Sequence, residues 1–245
     1  VLKADFIVAR VGNANPTFDI AFDLTGVPTT SVFIGRKSDL DSIAKQLMPD
    51  EVHDRRRICV IHGLGGIGKT QLAIEYARLH KDLYTSFFWI DGKTEESLLQ
   101  SLLAIALRLP KSQILDMDTQ KVQGLEESRK AARGILKWFT LKSNTQWLLV
   151  FDNIDNTSYG EESDQHTKTS SYNITQYFPE GDTGSIIVTT RLPRLVSLGT
   201  SVHLRQLSLL DSLLILENHT RRSLRHGGRQ ATSKDTSNID DWDQG

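Results

Sequence analysis

Lys69 and Thr70 close a run that contains Gly63, Gly65, Gly66 and Gly68, directly after the apolar stretch 58–62. The spacing G-x-x-x-x-G-K-T, met by Gly63, Gly68, Lys69 and Thr70, is that of a loop whose backbone N–H groups turn inward on phosphate oxygens at a helix N-terminus. Lys69 would reach the β and γ phosphates and the Thr70 hydroxyl would sit on Mg²⁺. Glycine is near 7% of residues in ordinary proteins, so chance yields this pattern in roughly one chain of this length per hundred. The same glycines have a rival meaning. Gly63, Gly65 and Gly68 also satisfy G-x-G-x-x-G, with Asp91 lying 23 residues beyond Gly68 at the end of an apolar run, as in a dinucleotide site.

The two chemistries differ in what else they need. A dinucleotide site asks for no acidic residue on a later strand. A triphosphate site asks for Lys-Thr straight after the last glycine and for an aspartate at the carboxyl end of another buried strand, where it can hold Mg²⁺. Lys69-Thr70 and Asp152, which ends the apolar run 148–151, supply both. Asp91 then becomes an ordinary strand-end residue. A further apolar strand, 184–189, runs into Thr190 and Arg191. From a strand end beside the loop, Arg191 could reach a γ-phosphate and so tell a triphosphate from a diphosphate.

The elements that would position these residues alternate. Leu40, Ile43, Ala44 and Leu47 recur at helical spacing, and 69–80 reads as a helix with Leu72, Ala73, Tyr76 and Ala77 on one face. An apolar run at 87–90 precedes a helix that opens on Glu95 and Glu96 and stops before Pro110, and another helix is expected over 121–139. A short fifth strand is expected at 202–204. Ser208 and Asp211 form a capping box that opens a last helix. Strands and helices in this order imply a parallel sheet covered on both faces. Between them, 154–171 reads as a solvated excursion. Residues 1–30 read as a connector from an upstream region, 31–204 as the nucleotide-binding domain, 205–217 as the start of a helical subdomain, and 218–245 as a disordered tail.

Composition narrows the classes. The 245 residues carry a formal net charge of −1, which offers no basic field for nucleic acid. No stretch approaches 18 apolar residues, so no membrane span is expected. Cys59 is the one cysteine, which points to a reducing, cytoplasmic setting and a buried core thiol. Val1 stands where a methionine would begin a complete reading frame, and a fragment of a longer polypeptide is expected.

With these residues in place the chain resembles the NB-ARC class of STAND nucleotide switches, in particular its fungal NLR-like members, over about 32–216. GLGGIGKTQLAIEYA from Gly63 resembles the family's P-loop and following helix, so Gly63, Leu64, Gly65, Gly66, Ile67, Gly68, Lys69, Thr70 and Gln71 are implied nucleotide contacts. Phe33-Ile34-Gly35-Arg36 looks like the adenine-contacting segment, FFWIDGKTEESL like the next block, LLVFDNID like the Mg²⁺-binding strand, and GSIIVTTR like the strand ending in a sensor arginine, here Arg191. The resemblance implies a three-layer α/β P-loop NTPase fold with five main strands. It also implies Mg²⁺ on Thr70 and Asp152, ADP or ATP as ligand, and self-association or signalling partners through flanking domains. Adenine rather than guanine rests on the resemblance alone.

Two departures shape the expected activity. Asn153 stands where the family often has a second acidic residue, and an amide can orient a water but cannot take its proton. Asp155 is the candidate substitute, alongside Lys69, Asp152 and Arg191 as catalytic residues. The family's G-x-P loop and winged-helix lid have no counterpart after Leu216. A regulatory switch with slow or absent hydrolysis is therefore expected. The alternatives are an ATPase or phosphotransferase with genuine turnover and a scaffold with ADP fixed in place.

Overall fold

A computed structural model describes residues 18–30, 32–48, 55–114, 122–160 and 171–220. The elements of the first unit, which ends at Leu207, are α1 (Lys37–Leu47), β1 (Arg57–His62), α2 (Lys69–Leu79), β2 (Ser86–Asp91), α3 (Glu95–Ala106), α4 (Leu125–Trp138), β3 (Trp147–Asp152), β4 (Ser185–Thr190) and β5 (Thr200–His203). The five strands are parallel, in the order β2-β3-β4-β1-β5.

Two-residue periodicity in strands that are apolar on both faces explains the layers. Val60, Phe88, Ile90, Leu149, Phe151, Ile186 and Val188 face one way, into a core shared with Leu98 and Leu102 of α3 and Ile135 and Leu136 of α4. Their neighbours Cys59, Ile61, Phe87, Leu148, Val150 and Ile187 face the other way, against Ile43 and Leu47 of α1 and Leu72 and Tyr76 of α2. The result is the expected three-layer α/β sandwich. Cys59 has no exposed surface, and burial pushes its thiol up to about 12.

Several expectations shift at their edges. Strand β5 begins at Thr200, ahead of the expected 202–204, because the Thr200 hydroxyl donates to the Ile58 carbonyl and starts the ladder on polar residues. The described part of the helix expected from 121 begins at Leu125 after Gly124, whose φ is 85°. Helix α3 is capped by Thr94 and Ser97 in a reciprocal capping box that the acidic first turn alone did not announce. The excursion 154–171 is not solvated at its base: Ile154 is buried in the core, and the Thr157 hydroxyl donates to the Tyr172 carbonyl. The described part of the N-terminal connector docks rather than dangles, with Phe18 edge-on to Trp138 and the Ile20 N–H donating to the Thr85 carbonyl.

The second unit begins at Ser208 and holds α5 (Leu209–Thr220). Its expected capping pair is present, with the Asp211 N–H donating to the Ser208 hydroxyl at 3.1 Å. The helix continues into the segment read as a tail. Residues 1–17, 161–170 and 221–245, which include the rest of that tail, lie outside the described residues. Among the described residues no helix is long and apolar enough to cross a membrane.

Candidate functional site

At the carboxyl end of β1 the chain turns from extended to helical within the glycine loop. Gly63 has φ 151°, and a Cβ there would lie 2.6 Å from the Leu204 carbonyl oxygen, so only glycine lets the strand leaving β5 pass this close. Gly68 adopts a left-handed φ of 99° as the N-cap of α2, which leaves the first N–H groups of that helix facing the loop's concavity. Among the described residues no side chain caps them. Their free dipole end is where an anion is stabilised.

Lys69 folds back over this loop, donating to the Gly63 carbonyl at 3.1 Å and the Leu64 carbonyl at 2.8 Å. Burial lowers its pKa, Asp155 and Asp152 act to raise it, and Arg191 opposes them. Its ammonium therefore rests on neutral oxygens in a site that would gain more from phosphate charge.

Parity of the strands builds the second half of the site. Asp152 on β3 and Thr189 on β4 follow the residues that face α2, so both side chains emerge beneath Thr70. The Thr70 hydroxyl donates to Asp152 Oδ1 at 2.9 Å and the Thr189 hydroxyl to the same oxygen at 2.5 Å. Burial pushes the Asp152 carboxyl above the usual range, with Asp91 on the neighbouring strand adding to the push, while the two threonine bonds resist it. Thr189 was missed by sequence reasoning. A polar pair ending a wholly buried strand, Ser-Ile-Ile-Val-Thr-Thr, was the available signal, because buried hydroxyls require partners.

Asn153 and Asp155 lie on the turn after β3. Asn153 holds a left-handed φ of 61°. Its N–H donates to Thr189 Oγ1 at 3.0 Å and its side-chain amide donates to Asp152 Oδ2 at 3.1 Å. Asp155 accepts from the Arg191 backbone N–H and from Arg191 Nε, both at 2.6 Å. β4, which ends at Thr190, lies between β1 and β3 in the sheet, so Arg191 leaves the sheet between the loop and Asp152.

These residues surround one cleft of about 400 Å³, lined by Gly65, Gly66, Gly68, Lys69, Thr70, Gln71, Asn153, Asp155 and Arg191. Asp152 stands behind Thr70. Gln71 also anchors the incoming chain, since its amide donates to the Pro28 carbonyl at 2.5 Å and accepts from the Thr30 N–H. Leu64 is exposed at the loop's tip, and Ile67 packs against the α1–α2 core. The segment Phe33–Arg36 does not line this cleft. Phe33 packs on the same core, Ile34 is half-buried and Gly35 is exposed. The Arg36 guanidinium donates to the Ile67 and Arg205 carbonyls, at 2.9 and 2.7 Å, which ties the loop to the chain leaving β5.

The Thr70 hydroxyl and Asp152 carboxylate are hard oxygen donors already in contact, and the carboxylate's charge is disfavoured by burial. That donor set fits Mg²⁺, which prefers one or two carboxylates and takes its other ligands from water and phosphate.

Residues 36–222 match the NB-ARC domain. Over 216 residues the chain is 27% identical to a nucleotide-binding leucine-rich repeat (NLR)-like protein of Hyaloscypha variabilis, covering 80% of this chain and 21% of that protein. It thus spans about a fifth of the length of that curated relative. Among solved structures, Cdc6p from Pyrobaculum aerophilum superposes with a TM-score of 0.52 at 12% identity, over 82% of this chain and 54% of that one. At that identity the likeness speaks for the fold alone. A STAND protein with a tetratricopeptide repeat sensor from Pyrococcus horikoshii aligns more loosely, at 18% identity and a TM-score of 0.42 over 82% of this chain and 27% of that one. The domain match takes in the glycine loop, Asp152 and Arg191, and on it the chain belongs to the NB-ARC family of P-loop nucleotide-binding domains.

Proposed function

We propose that this chain is the adenine-nucleotide switch module of a larger cytoplasmic signalling protein, binding ADP or ATP with Mg²⁺ and hydrolysing ATP slowly or not at all. The observation that carries the reading is how the groups around the cleft are engaged. Lys69, Thr70 and the open end of α2 are arranged for phosphate and metal. Both groups that could act on a water are taken: Asn153 cannot accept a proton and is held by Asp152, while both Asp155 oxygens accept from Arg191. A site built this way binds well and lacks a ready base.

In this reading Thr70 and Asp152 would hold Mg²⁺, which would supply charge neutralisation for the phosphates. Lys69 leaves the Gly63 and Leu64 carbonyls for the β and γ oxygens. Arg191 makes its contact only when a third phosphate is present. A charge-assisted hydrogen bond is worth about 1.5–3 kcal/mol, so this contact alone shifts a two-state equilibrium roughly 10- to 150-fold. That is a substantial bias but less than the ~10⁴-fold needed for a complete flip, and flanking regions of the larger protein would supply the rest. Self-association through those regions belongs to the same proposal.

Purification without added nucleotide followed by a turnover assay tests the reading. We expect copurified ADP and steady-state hydrolysis below about 0.01 s⁻¹, against a median near 10 s⁻¹ for enzymes generally. Turnover at that median would instead make the chain a working ATPase. ADP that no excess of ATP displaces would make it a scaffold.

A further inference from the structure

Arg191 is held in an unusual way for a mostly exposed side chain. One carboxylate, Asp155, accepts both its backbone N–H and its Nε–H at 2.6 Å. Double attachment to one group curls the side chain and leaves the terminal guanidinium nitrogens with no protein acceptor among the described residues. The stem crosses the phosphate loop: a Cβ on Gly65 would lie 3.7 Å from Arg191 Cδ and 3.9 Å from its Nη1. Asp155 is itself fixed from two further sides. Its N–H donates to the Asn153 carbonyl at 2.8 Å, and the Thr190 hydroxyl lies 3.4 Å from its Oδ1.

We infer that Asp155 is a positioning residue that holds Arg191 across the phosphate loop and thereby sets the preference for triphosphate over diphosphate. This rests on the nucleotide reading above and adds a role to a carboxylate otherwise left as a candidate base. An arginine side chain has several rotatable bonds to immobilise, and one that is 61% exposed would sample many orientations without a tether. Asp155 spends that entropy in the folded protein, before ligand arrives. Because it pairs with Nε, the edge bearing Nη1 remains over the loop beside Gly65, where the added charge of a γ-phosphate would strengthen the contact. An ordinary surface ion pair would predict otherwise, since such pairs contribute little and touch no ligand.

The test is equilibrium binding of ADP and of the imido-bridged ATP analogue, each with Mg²⁺, to the 245-residue chain and to Asp155→Asn, Arg191→Ala and the double variant. Asparagine keeps an acceptor for the Arg191 N–H and removes the charge that holds Nε. We expect Asp155→Asn to leave ADP affinity within about twofold and to weaken the triphosphate analogue about tenfold, the scale of one charge-assisted hydrogen bond. Arg191→Ala should do the same, and the double variant should lose no more than Arg191→Ala alone. A triphosphate preference that stays unchanged or rises in Asp155→Asn, or losses that add in the double variant, would overturn the inference. Equal loss of both ligands together with a lowered melting temperature would reduce Asp155 to a structural residue. A parent chain that binds neither ligand would remove the nucleotide reading itself, a result distinct from an unmoved ratio.

Discussion

Replacing Lys69 with alanine should weaken nucleotide binding about 100-fold or more while leaving the nucleotide-free fold nearly as stable as before. Among the described residues the ammonium hydrogen-bonds to the Gly63 and Leu64 carbonyls alone. Both lie at a site open enough for water to replace it, so truncation strands no buried acceptor. Its pKa is lowered chiefly by burial, which marks a cation that is under-solvated until phosphate arrives. With ligand present, the same truncation leaves phosphate charge without its counter-ion. Two charge-assisted bonds at the lower end of their range give about 3 kcal/mol, or roughly 100-fold. Calorimetric titration beside thermal melts checks this. Unimpaired binding, or a loss matched by a large fall in melting temperature, would contradict the role assigned to Lys69.

Trp147→Ala should cost about 3–5 kcal/mol of stability, the range for emptying a buried large aromatic site. In a chain this size that lowers the melting temperature by roughly 6–20 °C. The side chain has no exposed surface and its indole N–H donates to the Phe139 carbonyl at 3.0 Å. Its ring meets Phe139 edge-on at 5.3 Å. On the other side it lies beneath Gly184, where a Cβ would come within 2.2 Å of the ring. Loss of the ring therefore opens a cavity where β3, β4 and the end of α4 converge, and leaves the Phe139 carbonyl short of a donor. A fall under about 2 °C would mean that the site collapses or admits water.

Local pattern made most of the fold legible. The apolar runs that became β1, β3 and β4, and the helical period of α1 and α2, are visible because the sheet is buried on both faces and the helices on one. Trp147 escaped because its strand was read from the continuous aliphatic run that starts one residue later. β5 was harder still: its residues, Thr-Ser-Val-His, carry only one apolar side chain, and its place depends on pairing with β1 rather than on burial. The base of the 154–171 segment was misread for a related reason. Its polar composition is real, yet Ile154 and Thr157 are drawn inward by contacts with Gly92 and Tyr172 that lie far away in sequence.

The site shows the same division. Gly63 to Thr70 and Asp152 stand out by spacing, because phosphate and metal chemistry demand particular residue types at particular offsets. Thr189 on Asp152 and Asp155 on Arg191 follow only from the order β2-β3-β4-β1-β5, which places β4 between the two phosphate-site strands. No local period encodes that order. Asp155, first a candidate base by its distance from Asp152, thus gains a different neighbour once the strands are arranged.

The most direct measurement is a titration of the nucleotide-stripped chain with ADP, GDP and NAD in separate runs, each with Mg²⁺. Lys69 and Thr70 at the loop, with Asp152 beneath them, predict saturable binding of ADP near one per chain, weakened when Mg²⁺ is chelated. GDP should bind more weakly, and NAD should bind no better than a non-specific anion. Preferential binding of NAD, independent of Mg²⁺, would contradict the account and return the glycines of this loop to the dinucleotide chemistry they also resemble.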